Sequence, residues 1–155
     1  MEIQHLKKFK ATFKENINYE ISMYQNGRYF VLETEIEKDS QKIKYYNSYD
    51  LDSLKENNRF LALCDSIEDI IGTIYDNVSK NNCNIIENQS DYEIKIPVPV
   101  KNIREISFIL KEQKKSQTEI INDLIKNYLS LKKNIEEHNQ KICEQSKKYM
   151  NLIKR

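Results

Sequence analysis

Residues 116–152 read SQTEIINDLIKNYLSLKKNIEEHNQKICEQSKKYMNL, and apolar side chains return in this stretch every seven positions. One row of the repeat contains Ile121, Tyr128, Ile135, Ile142 and Tyr149, and its companion row contains Leu124, Leu131, His138, Gln145 and Leu152. A spacing of three and then four residues is the a/d pattern of a coiled coil. Because one helix cannot bury such a stripe alone, the stretch predicts a partner helix, most simply that of a second copy of this chain.

The start of this helix is predicted near Ser116, because Ser116-Gln117-Thr118-Glu119 has the form of a capping box. We therefore divide the chain into a β-rich head domain, residues 1–112, and a coiled-coil stalk, residues 113–155. The alternative is a helix that folds back onto the head. A helix of the stalk's length would span about 60 Å at 1.5 Å per residue, which is longer than such a head is wide and favours the stalk.

The predicted contact between two stalks, here called the dimer seam, is stronger at its beginning than at its end. It consists of Ile121, Leu124, Tyr128, Leu131, Ile135, His138, Ile142, Tyr149 and Leu152. Polar residues occupy the d positions at His138 and Gln145, and each forgoes about 1–3 kcal/mol of apolar burial compared with Leu. The flanking e and g positions offer no pairs of opposite charge. We therefore predict a weak, concentration-dependent homodimer.

The first half of the chain alternates apolar and polar residues with the period of β-strands. The run from Phe9 to Phe13 is predicted to be an edge strand. A hairpin follows, with Asn26-Gly27 as the two central residues of a type I′ turn, which needs positive φ at both. Residues 38–41 predict a second tight turn, and residues 42–49 a further strand.

A helical segment is inserted after these strands. Asp50 is a candidate cap of a short turn, and Asp65 and Ser66 are candidate caps of a longer helix, with Glu68 placed to complete a capping box with Asp65. The helix is predicted to run to about Lys80. Its apolar face is predicted to contain Ile67, Ile70, Ile71, Ile74, Tyr75 and Val78.

Three more strands are predicted before the stalk, at residues 83–87, 92–96 and 103–110. Pro97 and Pro99 lie between the last two and lack a backbone donor, so this link is expected to leave the sheet or to form its edge. The order of elements predicts an α+β fold. Its head is a small antiparallel β-sandwich or barrel with an inserted helical segment, followed by a long C-terminal coiled-coil helix.

Composition argues against an enzyme, a metal site or a bound cofactor. The three cysteines, Cys64, Cys83 and Cys143, form no C-x-x-C motif, and only two glycines are present, so no glycine-rich phosphate loop can be built. Neither His5 nor His138 has a Cys or carboxylate at ligand spacing, and His5 is expected near a frayed terminus. No run of about 18 apolar residues or secretory signal is found, so an intracellular protein without membrane contact is expected.

Charge is distributed unevenly along the chain. Residues 113–155 hold ten Lys/Arg and five Asp/Glu, whereas the first 112 residues hold fifteen and nineteen. Lysine pairs recur along the stalk, and their simplest role is to keep a helix face solvated. The alternative is contact with nucleic-acid phosphate, in which Tyr45, Tyr46 and Tyr49 of the head could stack on bases.

Two stretches resemble the centriolar cartwheel scaffold, the spindle-assembly-abnormal family, whose superfamily includes the end-joining repair scaffolds. Residues 50–56, DLDSLKE, with FLAL at 60–63 and the helix that contains Asp69-Ile70-Ile71, resemble the family's acidic-apolar-x-x-Leu-Lys segment and its next helix. Residues 100–108, VKNIREISF, resemble its Phe-Lys-x-Leu-x-x-Leu-Ser-Leu run. In order of elements the resemblance covers residues 17–155.

This resemblance implies a non-enzymatic scaffold in the cytoplasm, at the centriole or cytoskeleton, where other scaffold or cytoskeletal proteins would be its partners. In that family a large apolar residue before the last strand inserts into a neighbouring head. Val100 has the matching position and, with Lys101 and Ile103, forms the predicted head-to-head contact, which would build higher oligomers. Two alternatives stay open: a nuclear DNA-repair or chromosome scaffold with a basic stalk, and an adaptor whose head binds a peptide at a sheet edge near Pro97 and Pro99.

Overall fold

The structure, a computed structural model that describes residues 2–154, contains seven strands and three α-helices within those residues. In chain order the elements are β1 (Ile3–Lys14), β2 (Ile17–Asn26), β3 (Tyr29–Lys38), β4 (Gln41–Asp50), α1 (Leu51–Asn57), α2 (Ile67–Lys80), β5 (Cys83–Asn88), β6 (Asp91–Val100), β7 (Ile103–Glu112) and α3 (Gln117–Ile153). The chain divides into two compact units, one up to Gln113 and one from Lys114 onward. Met1 and Arg155, at the outer ends of the two predicted domains, lie outside the described residues. The predicted α+β fold class is confirmed.

The seven strands form a closed barrel in the order β1-β2-β3-β4-β7-β6-β5. Neighbours pair over long registers within the β1–β4 meander and within β5–β7. Two short contacts, here called the β1–β5 closure and the β4–β7 closure, join these two sheets. Each closure contains two registered residue pairs, and β1 is parallel to β5. The prediction of an edge strand at Phe9–Phe13 is therefore wrong, because β1 has a neighbour on both sides.

Hydrogen bonds from individual residues extend both closures. The Sγ of Cys83 in β5 donates to the carbonyl oxygen of Lys10 in β1 at 3.1 Å. At the other closure, Asn47 Nδ2 and the Tyr49 hydroxyl of β4 donate to the Ile109 carbonyl of β7, at 2.9 and 3.1 Å. Side-chain donors thus replace main-chain donors where the strands separate.

The hairpin turns lie close to their predicted positions, but the type of the first turn differs from the prediction. Asn26 pairs with Tyr29, so the central residues of the first turn are Gly27 and Arg28, one position later than predicted. Gly27 has φ of 59° and Arg28 is not among the residues of positive φ, the pattern of a type II′ turn and not of type I′. The next turn has Asp39 and Ser40 at φ of 50° and 63°, and it is the one with positive φ at both central positions.

Helix α2 packs its apolar face into the barrel core. Ile67, Ile70, Ile71 and Ile74 are buried as predicted, whereas Tyr75 is 36% exposed and the buried Asn77 belongs to the face instead. The N-cap is Ser66, whose Oγ accepts the Asp69 N–H at 3.1 Å. The predicted pairing of Asp65 with Glu68 is shifted by one residue, because the carboxylate that accepts the Asp65 N–H is that of Asp69, at 3.2 Å.

The proline link continues β6 and pairs with β7 through Pro97 and Glu105. On its other side β6 pairs with β5 only as far as Lys95, so the prolines occupy a sheet edge, one of the two predicted outcomes. The Pro97 carbonyl on that edge accepts Asn77 Nδ2 at 2.9 Å. This bond explains why a polar side chain is buried on α2.

We predict that Asn77→Ala destabilises the head by about 1–3 kcal/mol, because the partly buried Pro97 carbonyl then loses its donor. Urea unfolding of the full chain measures the change in the free energy of unfolding. The exposed Asn82→Ala, five residues along the chain, is the matched control and should stay near wild type. Equal stability of the two variants would show that the Asn77 bond contributes nothing.

Candidate self-association surfaces

The predicted dimer seam lies on α3, and none of the described residues of this helix is buried. The stronger half of the seam is more than half exposed at every position: Ile121 54%, Leu124 61%, Tyr128 65%, Leu131 62% and Ile135 60%. Further along, Ile142, Tyr149 and Leu152 are 48%, 70% and 66% exposed. The structure therefore leaves the whole stripe accessible to a partner helix, and His138 is exposed on the same stripe.

The beginning of α3 is fixed by the predicted capping box. Ser116 Oγ accepts the Glu119 N–H at 3.2 Å, and Glu119 Oε2 accepts the Ser116 N–H at 2.8 Å. Lys115 Nζ lies 2.6 Å from Asp123 Oδ2 across the first turns. The backbone N–H groups of Ser116 and Glu119 thus have partners in a helix that receives little support from burial.

Residue types along the seam select among coiled-coil geometries. The a positions Ile121, Ile135 and Ile142 are β-branched, and the d positions Leu124 and Leu131 are leucines. β-branched residues at a with leucine at d favour two parallel strands over three or four. The a positions Tyr128 and Tyr149 depart from this preference.

The predicted head-to-head contact lies at the turn between β6 and β7. Val100 pairs with Ile103 across a two-residue turn, after an irregularity in the ladder that follows Pro97. Val100 is 39% exposed and Lys101 is exposed, whereas Ile103 is half-buried and packs against the core. The structure thus presents Val100 and Lys101 to solvent and uses Ile103 largely to hold the turn in place.

Sequence patterns gave no indication of the most exposed large apolar side chain of the head. Leu63 is 93% exposed, between the buried Leu61 and Cys64. The N–H of Cys64 donates to the Leu61 carbonyl at 3.1 Å and fixes this short turn. A Leu-Ala-Leu-Cys run reads as uniformly apolar, so only the turn geometry shows which leucine points outward.

The residues considered for nucleic-acid stacking do not form a platform. Tyr45 is buried in the core, with its ring centroid 4.7 Å from that of Tyr92. Tyr49 is half-buried and bonded to Ile109, so Tyr46 is the exposed one of the three, at 39%. One exposed tyrosine cannot stack a series of bases.

Several titratable groups of the head form ion pairs at its surface. His5 lies within β1 rather than at a frayed end, with Nδ1 3.7 Å from Glu68 Oε1. Lys38 Nζ lies 2.6 Å from Glu87 Oε1, and this contact lowers the pKa of Glu87 and raises that of Lys38. Over residues 2–154 no group of three or more His, Cys, Asp or Glu side chains could hold a metal ion. In the same residues no helix is long and apolar enough to cross a membrane.

Comparison with solved structures finds twelve matching chains. No family model matches the chain, and no curated protein matches it. A solved structure of a C. elegans SAS-6 variant is similar to 72% of this chain and 98% of its own length, with 13% sequence identity and a TM-score of 0.46. At this level of likeness, membership of the cartwheel family stays a prediction from the sequence motifs.

The cysteines differ in environment, so we predict that thiol reagents distinguish them. Cys143 is exposed on α3, whereas burial raises the pKa of the Cys83 thiol to about 11. At a pH of about 7.5 a maleimide should label Cys143 rapidly and reach Cys83 only after urea unfolds the head. Cys143→Ser should remove the rapid phase, and mass spectrometry identifies the labelled residue.

The same thiol predicts a pH dependence of stability. Because the folded pKa of Cys83 exceeds the ordinary value of 9.0, the stability that depends on its proton is complete below pH 9 and is lost as pH rises toward 11. Cys83→Ala should lose less stability than wild type over this interval. Parallel curves for the two proteins would contradict the assignment.

Proposed function

We propose that this protein is a non-enzymatic scaffold whose chains pair through a parallel coiled coil of α3. The observation that carries the proposal is the exposed a/d stripe of α3, with Ile121, Tyr128 and Ile135 at a and Leu124 and Leu131 at d in its first half. The sequence resemblance to cartwheel scaffolds supports the same role. It adds that the protein acts inside the cell, at the centriole or cytoskeleton.

Burial of the stripe supplies the driving force for pairing. Complete burial of one large aliphatic side chain contributes about 1.5–3 kcal/mol. Leu124, Leu131 and Ile135 are each about 60% exposed, so much of this free energy is still available to a partner. Association itself opposes pairing by about 4–15 kcal/mol. His138 and Gln145 weaken the second half, and the expected result is a reversible dimer.

Contacts between heads would extend dimers into higher oligomers. Val100 is exposed on a turn whose base is held by the packing of Ile103 and by the Asn77 bond to Pro97. A rigid turn with an exposed apolar tip loses little conformational freedom on binding. Valine offers less apolar area than the larger residues usual in the cartwheel family, so this second contact should be the weaker one.

We predict that replacing Leu124 and Leu131 together by Glu abolishes the dimer, because each chain would then bring two carboxylates into the apolar contact. Sedimentation equilibrium of the full chain over a range of concentrations gives the dissociation constant. Circular dichroism reports whether α3 remains helical.

The matched control adds the same charge to the opposite face of the helix, with Asn122→Glu and Ser130→Glu. This variant should dimerise within about threefold of wild type, since exposed charges away from the contact interact weakly. Wild-type protein that stays monomeric at millimolar concentration would disprove the proposal. A dimer that survives Leu124→Glu with Leu131→Glu would place the contact elsewhere.

A second prediction concerns species larger than the dimer. Val100→Glu should remove them and leave the dimer intact, because it adds a charge to the turn and none to α3. Ile86→Glu, at another exposed apolar position of the head, is the control and should have no effect. Light scattering at high protein concentration measures the distribution. Persistence of large species in Val100→Glu would show that this turn does not join heads.

A further inference from the structure

The β4–β7 closure leaves part of β7 without a neighbouring strand. Registered pairing between the two strands is confined to two pairs, Tyr45 with Glu112 and Tyr46 with Lys111. Just beyond them, the Gln113 N–H donates to the Lys44 carbonyl at 2.8 Å. The next contact toward the start of β7 is at Ile109, whose carbonyl accepts hydrogen bonds from the side chains of Asn47 and Tyr49. Within the described residues, the registered pairing of β4 with β7 does not continue toward Glu105.

The direction of the Ile109 carbonyl shows which backbone groups face the opening. In an antiparallel ladder both polar groups of a residue point to the same side, and successive residues alternate. Ile109 faces β4, so Ser107 and Glu105 face it too, whereas Ile106 and Phe108 bond to β6. Glu105 is opposite Pro97, which has no N–H to donate. This agrees with a Glu105 backbone that exchanges no hydrogen bonds with β6.

The backbone N–H and C=O groups of Glu105 and Ser107 therefore form a free strand edge. We call Glu105–Ile109 the open edge of β7. Glu105 and Ser107 are exposed, and Ile109 is 47% exposed. In the β4 register Ser48 is opposite Ile109, and its N–H donates to Asn47 Oδ1 at 2.9 Å. The proline edge of β6 differs, since its prolines lack N–H groups and its Pro97 carbonyl is taken by Asn77.

We propose that the open edge of β7 binds an extended segment of a partner protein by strand addition. Alternating free donors and acceptors fit an extended chain, whereas a helix has its own backbone groups already paired. The exposed Ile109 offers one apolar contact. Arg104 and Lys111 are exposed at the two ends and form no ion pair within residues 2–154.

These features define the chemistry of the partner segment. It is extended and unstructured before binding, it carries an apolar residue that meets Ile109, and it has carboxylates at its ends. Arg104 and Lys111 are separated by seven residues, about 24 Å along a strand. The open edge contains no residue of α3 and none of residues 100–103, so the proposal does not depend on the proposed dimer.

The first test measures amide hydrogen exchange in the full, isotope-labelled chain by NMR. The N–H groups of Glu105 and Ser107 should exchange at least about tenfold faster than those of Ile106 and Phe108. Slow exchange of all four would show that the edge is already covered and would overturn the proposal. Protection that rises with protein concentration would assign the edge to a second copy, and it would also overturn it.

The second test adds a defined probe, the acetylated and amidated peptide Asp-Thr-Val-Thr-Val-Thr-Val-Asp, which antiparallel to β7 can place its two Asp at Lys111 and Arg104 and a Val at Ile109. Binding should shift the resonances of Ser48, Glu105, Ser107 and Ile109 and slow exchange at Ser107. The same peptide methylated at every backbone nitrogen should not bind. No shift at millimolar peptide, equal binding of the methylated peptide, or shifts confined to other surfaces would each overturn the proposal.

A matched pair of variants at one position separates backbone from side chain. Ser107→Pro removes the N–H on the open side and should weaken peptide binding at least about tenfold. Ser107→Ala keeps that N–H and should bind as wild type does. Should Ser107→Pro fail to fold, Arg104→Glu with Lys111→Glu serves instead and should weaken binding of the acidic peptide. Undiminished binding by the folded variant would contradict the proposal.

Discussion

Closure of the head depends on side chains that donate hydrogen bonds to main-chain carbonyl groups at the places where strands separate. The Cys83 thiol reaches Lys10, and Asn47 and Tyr49 reach Ile109. Two sheets with only two registered pairs at each contact would otherwise leave these carbonyls without partners. Because the two sheets are joined in this way, the core residues and the apolar face of α2 keep their positions. The same holds for the exposed turns at Leu63 and Val100.

Local sequence signals predicted the elements well, and tertiary contacts decided the rest. Alternation, turn residues and caps are short-range features, so the strands, the end of α2 and the Ser116 cap could be read directly. The neighbour of β1 could not, because Cys83 lies 73 residues from Lys10. For the same reason the burial of Asn77 could not be predicted. In the sequence it is a polar residue within an apolar face, and only the fold places the Pro97 carbonyl beside it.

The association surfaces were predictable to different degrees. A heptad stripe repeats a local rule many times, so the apolar stripe on α3 could be read from spacing alone. The contact at Val100 is a prediction from resemblance, and the structure adds that Ile103, its partner across the turn, packs inward. Leu63 and the open edge of β7 had no sequence signal, because side-chain direction in an irregular turn and the absence of a neighbouring strand are properties of the folded head.

The residues that each closure joins are far apart in the sequence, and this separation bears on how the head folds. Hairpins within the meander join residues a few positions apart, whereas the β1–β5 closure joins residues more than seventy positions apart. Loop-closure entropy opposes the distant contacts most, and high contact order slows folding. The two closures are therefore the strand contacts of this barrel that loop-closure entropy opposes most.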